Sequence, residues 1–169
     1  AVMQTVDLVA LSTAQIQAMD TIDIAALSTA QIQALTTAQV NALTTAQVNG
    51  LTTTQITALE TRDVAVLSTA QIVALNTSQI QNLSTAQIAA LTSQQVAALE
   101  NEDLAVLSQE QVVALSGSQP TALTPAQIAS LPTAQIASLL TADLAALTTA
   151  QIAALTTIQM QSLSLEQVA

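Results

Sequence analysis

The chain has 169 residues, 51% of them apolar, with no Phe, Tyr, Trp, Cys or His, and 11 acids against a single base, Arg62, for a formal net charge of -10. Without Cys or His there is no disulfide, no soft-metal site of the zinc type and no imidazole or thiol catalyst. With one cation and no aromatic ring, the chain repels phosphate backbones and offers no stacking platform, which speaks against nucleic-acid binding.

Membrane insertion is the first rival, because the mean hydropathy is +0.55. The apolar runs answer it: Leu8 to Leu11 and Val64 to Leu67 are four residues each, where a spanning helix needs about 20. Ala1, Val2 and Met3 show no basic leader of a signal peptide.

From Met3 onward the chain divides into twenty complete octads ending at Ser162, plus a seven-residue remainder, with no insertion or deletion. The consensus is Leu-Thr/Ser-Thr-Ala-Gln-Ile/Val-x-Ala, and Leu11 to Ala18, Leu35 to Ala42 and Leu147 to Ala154 are clean copies. Leu holds position one in 19 of 21 cases, and position six is aliphatic or Met everywhere except Pro120. Those positions have opposite parity, so a strand cannot bury both on one face, and two glycines are too few for β-helix corners. A continuous helix fails as well, because eight residues over two turns drifts against 3.6 per turn.

What fits is a helix restarted in every octad. Ser or Thr at position two with Gln three residues later is a capping box, and Leu at position one with Ile or Val at position six is the accompanying hydrophobic staple. Sixteen of 21 octads carry Ser, Thr, Asp or Asn at the cap, each worth about 1 kcal/mol. One-turn helices are far below the roughly 12 to 15 residues a lone helix needs, so stacking must hold them. The predicted fold class is therefore all-α, a solenoid of about twenty one-turn helices over residues 1–169.

Taken in chain order, the exceptions form a second period. Position five is Gln in 16 octads and Asp in five, at Asp7, Asp23, Asp63, Asp103 and Asp143, the last four spaced by 40 residues. The same octads carry the odd cap residues Asp20, Glu60, Glu100 and Leu140. Duplication of a 40-residue segment explains this spacing. So does a coil of five octads, which gives coils at Leu27 to Val66, Leu67 to Val106 and Leu107 to Ala146, with Leu and Ile inward. Stacked coils also give Gln a reason over Glu: a ladder of Gln donates and accepts where Glu stacks like charges. Those Gln side chains are expected to be buried and hydrogen-bonded. The octad around Ser116, Gly117, Ser118, Gln119 and Pro120 is expected to be the weakest, since Pro120 removes an amide of the first turn. Pro125 at N1 is welcome, and Pro132 loses a cap.

Asp23, Asp63, Asp103 and Asp143 are the one candidate metal set, for calcium, although carboxylates a full coil apart do not converge as six to eight oxygens must. A charged seam that keeps an apolar repeat soluble is the simpler reading. Arg62, beside Glu60 and Asp63, is expected in a surface ion pair. Regular repetition argues against a catalytic pair, which needs one singular environment. Thr29, Thr37, Thr45 and Thr53, at the first helical position, are expected to point outward, an array of the kind some ice-binding proteins present.

The octads, typified by Leu147 to Ala154, resemble runs of short repeats in large secreted or cell-surface bacterial proteins of the adhesin type. Leu123 to Ser130 is also similar to the first helix of a TAL-effector repeat, but the period of eight and the lack of basic residues set this chain apart. The adhesin resemblance implies an extracellular, non-enzymatic stalk, spacer or filament, without cofactor. Self-association through solenoid ends, or contact with neighbouring repeats, is the expected partnership. The alternative is a binding module for ice, a glycan or calcium that uses the Thr or Asp arrays.

Overall fold

The computed structural model describes residues 3–119 and 121–168. All the regular structure among them is helical, and it falls into two compact units, Ala1–Leu83 and Ser84–Ala169.

In the first unit the helices are α1 (Thr5–Val9), α2 (Thr13–Gln17), α3 (Thr21–Ala25), α4 (Thr29–Ala34) and α5 (Thr37–Ala42). They continue as α6 (Thr45–Gly50), α7 (Thr53–Ala58), α8 (Thr61–Ala65), α9 (Thr69–Val73) and α10 (Thr77–Gln81). In the second unit they are α11 (Thr85–Ala89), α12 (Ser93–Ala98), α13 (Asn101–Ala105), α14 (Gln109–Ser118) and α15 (Pro125–Ser130). The last five are α16 (Thr133–Ser138), α17 (Thr141–Ala145), α18 (Thr149–Ala154), α19 (Thr157–Gln161) and α20 (Leu165–Val168).

Most helices start where the capping box places them, α3, α13 and α16 being without one. Thr44 is extended at φ -70, ψ 158; its hydroxyl accepts from the Gln47 amide at 3.1 Å, while Gln47 Oε1 accepts from the Thr44 amide at 2.8 Å. Two of the orphan donors of the first turn are thereby satisfied. The helix closes with a tight 3₁₀-type bond from the next Leu, as in Leu51 N–H to Val48 carbonyl at 3.2 Å. Leu51 and Thr52 are both extended, and that pair turns the chain into the following helix. No described residue has positive φ, so the turns need no glycine, which is why two suffice for the chain.

Position six and position one form the core. Ile32, Leu35, Val40, Leu43, Val48, Leu51, Ile56 and Leu59 are all buried in the first unit, as are Ile88, Leu91, Val96, Leu99, Ile128, Leu131, Ile136 and Leu139 in the second. Burying one such side chain contributes about 1.5–3 kcal/mol.

The coil is shorter than forty residues. Helices three octads apart pack together, α1 on α4, α2 on α5, α3 on α6 and α4 on α7, then α15 on α18 and α16 on α19 in the second unit. Hydrogen bonds from one coil to the previous one join residues 28 to 31 apart. One coil therefore takes between three and four octads, not five, and the coils Leu27 to Val66, Leu67 to Val106 and Leu107 to Ala146 do not describe the stacking. The physical reason is the bend per octad: an extended Leu-Thr pair turns the chain by more than one fifth of a circle. The 40-residue spacing of the Asp octads is left without a geometric role.

The octad Leu115–Ala122 does not start a helix of its own. Ser116 lies inside α14, which runs on from the preceding octad through Ser118. Pro120, on which the expected weakness turned, lies outside the described residues. Pro125 does take the first position of α15, behind the Thr124 cap.

Candidate functional site

The most regular polar feature of both units is the seam of position-five glutamines. From Gln31 onward these side chains are buried, Gln47 to 1% exposure, with Gln167 half-buried and Gln119 part-exposed. Burial of an amide is tolerable only when its donors and acceptors are all used. Gln47 meets that condition: Oε1 completes the capping box, and Nε2 donates to the carbonyls of Ile16 at 2.8 Å and Met19 at 2.7 Å. Gln55 does the same to Ile24 and Leu27, Gln79 to Val48 and Leu51, Gln127 to Val96 and Leu99, and Gln159 to Ile128 and Leu131.

The two carbonyls belong to the end of one helix and the Leu that leads into the next, so each Gln pins the junction between two octads of the previous coil. The expected Gln-on-Gln ladder is replaced by Gln on backbone. A carbonyl at a helix C-terminus keeps a lone pair for the Gln amide even where it already accepts the next Leu amide, as Val48 does from Leu51, whereas a second Gln Oε1 is committed to its own cap. Ionised Glu cannot substitute, because it has no hydrogen to donate. Gln119 still reaches the Leu91 carbonyl, so the register survives the octad that fails to restart.

Two local departures explain themselves. Pro132 at the cap of α16 has neither hydroxyl nor amide hydrogen, and Gln135 Oε1 is left buried with no partner. Asn41 and Asn49 add a second seam: Asn49 Nδ2 donates to the Ala74 carbonyl at 2.8 Å, and Asn41 reaches the Val66 carbonyl in the same way. Position seven is variable in sequence, so the one signal for these two residues was Asn itself.

The aspartates do not form one site. Asp7 and Asp23 are exposed, and so is Gln15 between them. Asp63, Asp103 and Asp143 are buried. Within each unit the packed helices are three octads apart, so residues 40 apart, such as Asp23 and Asp63, are not stacked into a seam. No group of three His, Cys, Asp or Glu among the described residues is placed to hold a metal ion.

Asp143 Oδ2 accepts from the Ser116 hydroxyl at 3.0 Å, a contact open to Ser116 because it does not cap a helix. Burial, reinforced by the neighbouring Glu100 and Glu102 charges, pushes the Asp103 carboxyl up to about 6, against the Glu100 amide bond that lowers it. Arg62 Nε pairs with Glu60 at 2.7 Å, both side chains being well exposed, a pair worth about 0–1 kcal/mol. Thr29 and Thr45 are exposed and Thr37 and Thr53 half-exposed, so the first-turn threonines do face outward.

At the last helices of the second unit the apolar stripe is uncovered. Ile152, Ile158, Met160, Leu165 and Val168 are exposed, and a groove of about 310 Å³ is lined by Leu144, Ile152, Leu155, Met160 and Leu163 with Thr141 and Gln167 at its polar edge. No helix among the described residues is long and apolar enough to cross a membrane.

The ALTTAQ repeat family matches the chain at residues 1–37, 16–53, 24–61, 56–93, 96–133 and 136–169, the first four copies overlapping. No curated protein and no solved structure matches it.

Proposed function

The chain belongs to the ALTTAQ repeat family, and we propose that it is a non-catalytic structural module, a spacer or adhesive stalk outside the cell that lengthens by stacking coil on coil. The observation that carries this reading is the Gln register: within each unit the same side chain makes the same two bonds to the previous coil, octad after octad. Such an interface is self-similar, so any coil is a template for the next. A chain that devotes its regular polar residues to holding its own backbone leaves no convergent set for substrate chemistry. The lack of Lys, Cys and aromatics accords with a secreted surface segment.

The exposed end of the second unit fits a further coil of the same repeat, supplied by neighbouring repeats of a longer chain or by the first coil of another copy. That coil presents Asp7, Gln15 and Asp23 at position five, exposed, and Gln15 has the donor that every internal Gln spends on a preceding coil. Ile152 and Met160 supply the apolar stripe that it covers.

Sedimentation velocity and electron microscopy of the purified chain test the assembly: species that lengthen with concentration, and that are lost in Met160→Asp and Gln15→Ala, support it. Dispersed monomers at all concentrations would count against it. Binding of the chain to cell surfaces or matrix tests the adhesive role separately.

A further inference from the structure

Asp63 stands in α8 where neighbouring octads have Gln, and it is 0% exposed. Its Oδ2 accepts from the Glu60 amide at 3.3 Å, a stretched version of the 2.8 Å bond made by Gln47. Its Oδ1 is buried with no hydrogen-bond partner. Gln55, Gln71 and Gln79 each direct the amide nitrogen at carbonyls 28 and 31 residues earlier. The same register sets the carbonyls of Leu35 and Ile32 opposite Asp63, and α5, which follows them, packs on α8. Across the junction, carboxylate and carbonyls are all acceptors.

We propose that Asp63 is a proton-operated clasp between coils: as a neutral carboxyl its hydroxyl donates across the junction in place of the missing Gln amide, and as a carboxylate it releases. The step takes one proton from solvent and returns it, with no other bond made or broken. The charged groups around it are few. On its own helix lie Glu60 and Arg62, whose Nε is 4.0 Å from Oδ1 and engaged with Glu60 at 2.7 Å. The packed helix α5, and α4 before it, carry no titratable side chain.

The second unit shows the alternative solution: at Asp143 the chain provides the hydrogen itself, from the Ser116 hydroxyl. Asp63 has no such neighbour. Burial raises its pKa above the ordinary carboxylate value, against the lowering effects of the Glu60 amide and Arg62. A carboxyl held above its unfolded value stabilises while it is protonated, and that stabilisation is lost as pH rises through the folded value.

The test is a carboxyl-carbon NMR titration of the whole chain, with amide hydrogen exchange at α4, α5 and α8 followed from pH 3 to pH 8. Asp63 is expected to titrate above the ordinary value of about 3.9, with exchange protection falling about tenfold as it ionises. Asp63→Gln restores the consensus donor and is expected to keep full protection at pH 8 with no dependence on pH. Asp63→Asn, neutral and of the same size, is expected to lose the pH dependence as well. An ordinary titration midpoint, or an unchanged pH slope in Asp63→Gln, overturns the clasp. Protection at pH 8 that rises with potassium chloride and not with tetramethylammonium chloride also overturns it, by assigning the place to a metal cation.

Discussion

Replacing Gln47 by Glu changes one NH₂ for one oxygen and separates the two tasks of the residue. The capping task is untouched, since Glu Oε accepts the Thr44 amide as well as Gln does. The inter-coil task is destroyed. Two donated bonds, to Ile16 at 2.8 Å and Met19 at 2.7 Å, are lost, each worth about 1 kcal/mol net. In their place a carboxylate at 1% exposure faces two carbonyl oxygens, and an uncompensated buried charge costs about 3–5 kcal/mol.

Part of that cost is avoided by protonation, so the expected destabilisation is about 3–5 kcal/mol at pH 8 and about 1–2 kcal/mol at pH 5. Urea unfolding at both pH values reads the total, and hydrogen exchange shows whether the loss is centred on α2, α3 and α6. The internal control is Gln15→Glu, in the same capping box but exposed, with Oε1 accepting from Ser12 at 2.8 Å; it is expected to cost less than about 0.5 kcal/mol. If Gln47→Glu and Gln15→Glu prove equally mild at pH 8, the inter-coil bonds contribute nothing and the account of the fold is wrong.

The other predictions rest on single residues. Because burial lifts Asp103 from 3.8 to about 6, the chain is expected to gain stability on acidification from pH 8 to pH 5, the reverse of ordinary acid denaturation. The full linkage of that shift, about 3 kcal/mol, is reached only below the unfolded value of 3.8; by pH 5 about 1 kcal/mol of it is gained, after solvent screening of the Glu100 and Glu102 charges. Asp103→Asn should flatten the slope in thermal melts, and an unchanged slope would exclude Asp103 as its source. Pro132→Thr returns both a cap hydroxyl and the amide that Gln135 Oε1 lacks. It is expected to stabilise by about 1 kcal/mol after the loss of proline's rigidity, and a lower urea midpoint would contradict this. Gly50→Ala adds a Cβ that meets Thr21 Cβ at an ordinary 3.5 Å, so a gain of about 0.5–1 kcal/mol is expected from helix propensity alone. A loss in the same assay would mean that the contact is tighter than 3.5 Å.

Which features were legible beforehand follows from the range of the interactions. The cap at Thr44, the box with Gln47 and the burial of Val48 and Leu51 act within one octad, so the local pattern announces them. Position five was legible in its burial but not in its partner, because the Ile16 and Met19 carbonyls are 31 and 28 residues away and carry no side-chain signature. Ser116 misled for the opposite reason. Its local pattern is that of a cap, but its hydroxyl is taken by Asp143, 27 residues on, and α14 continues through it. Asp63 and Asp143 read alike in sequence and differ in the fold, since only one has a hydroxyl to meet it.

The sequence by itself determined that the chain is helical, that it restarts every eight residues and that Leu, Ile and Val face a common core. Those properties follow from backbone capping and side-chain periodicity, which are local. Only the tertiary structure decided how many octads make a coil, because the turn angle of each extended Leu-Thr link accumulates over three or four octads before one side chain meets another. Only it decided, too, that the glutamines bind backbone carbonyls, and that Asp23 and Asp63, 40 residues apart within one unit, are not stacked on each other.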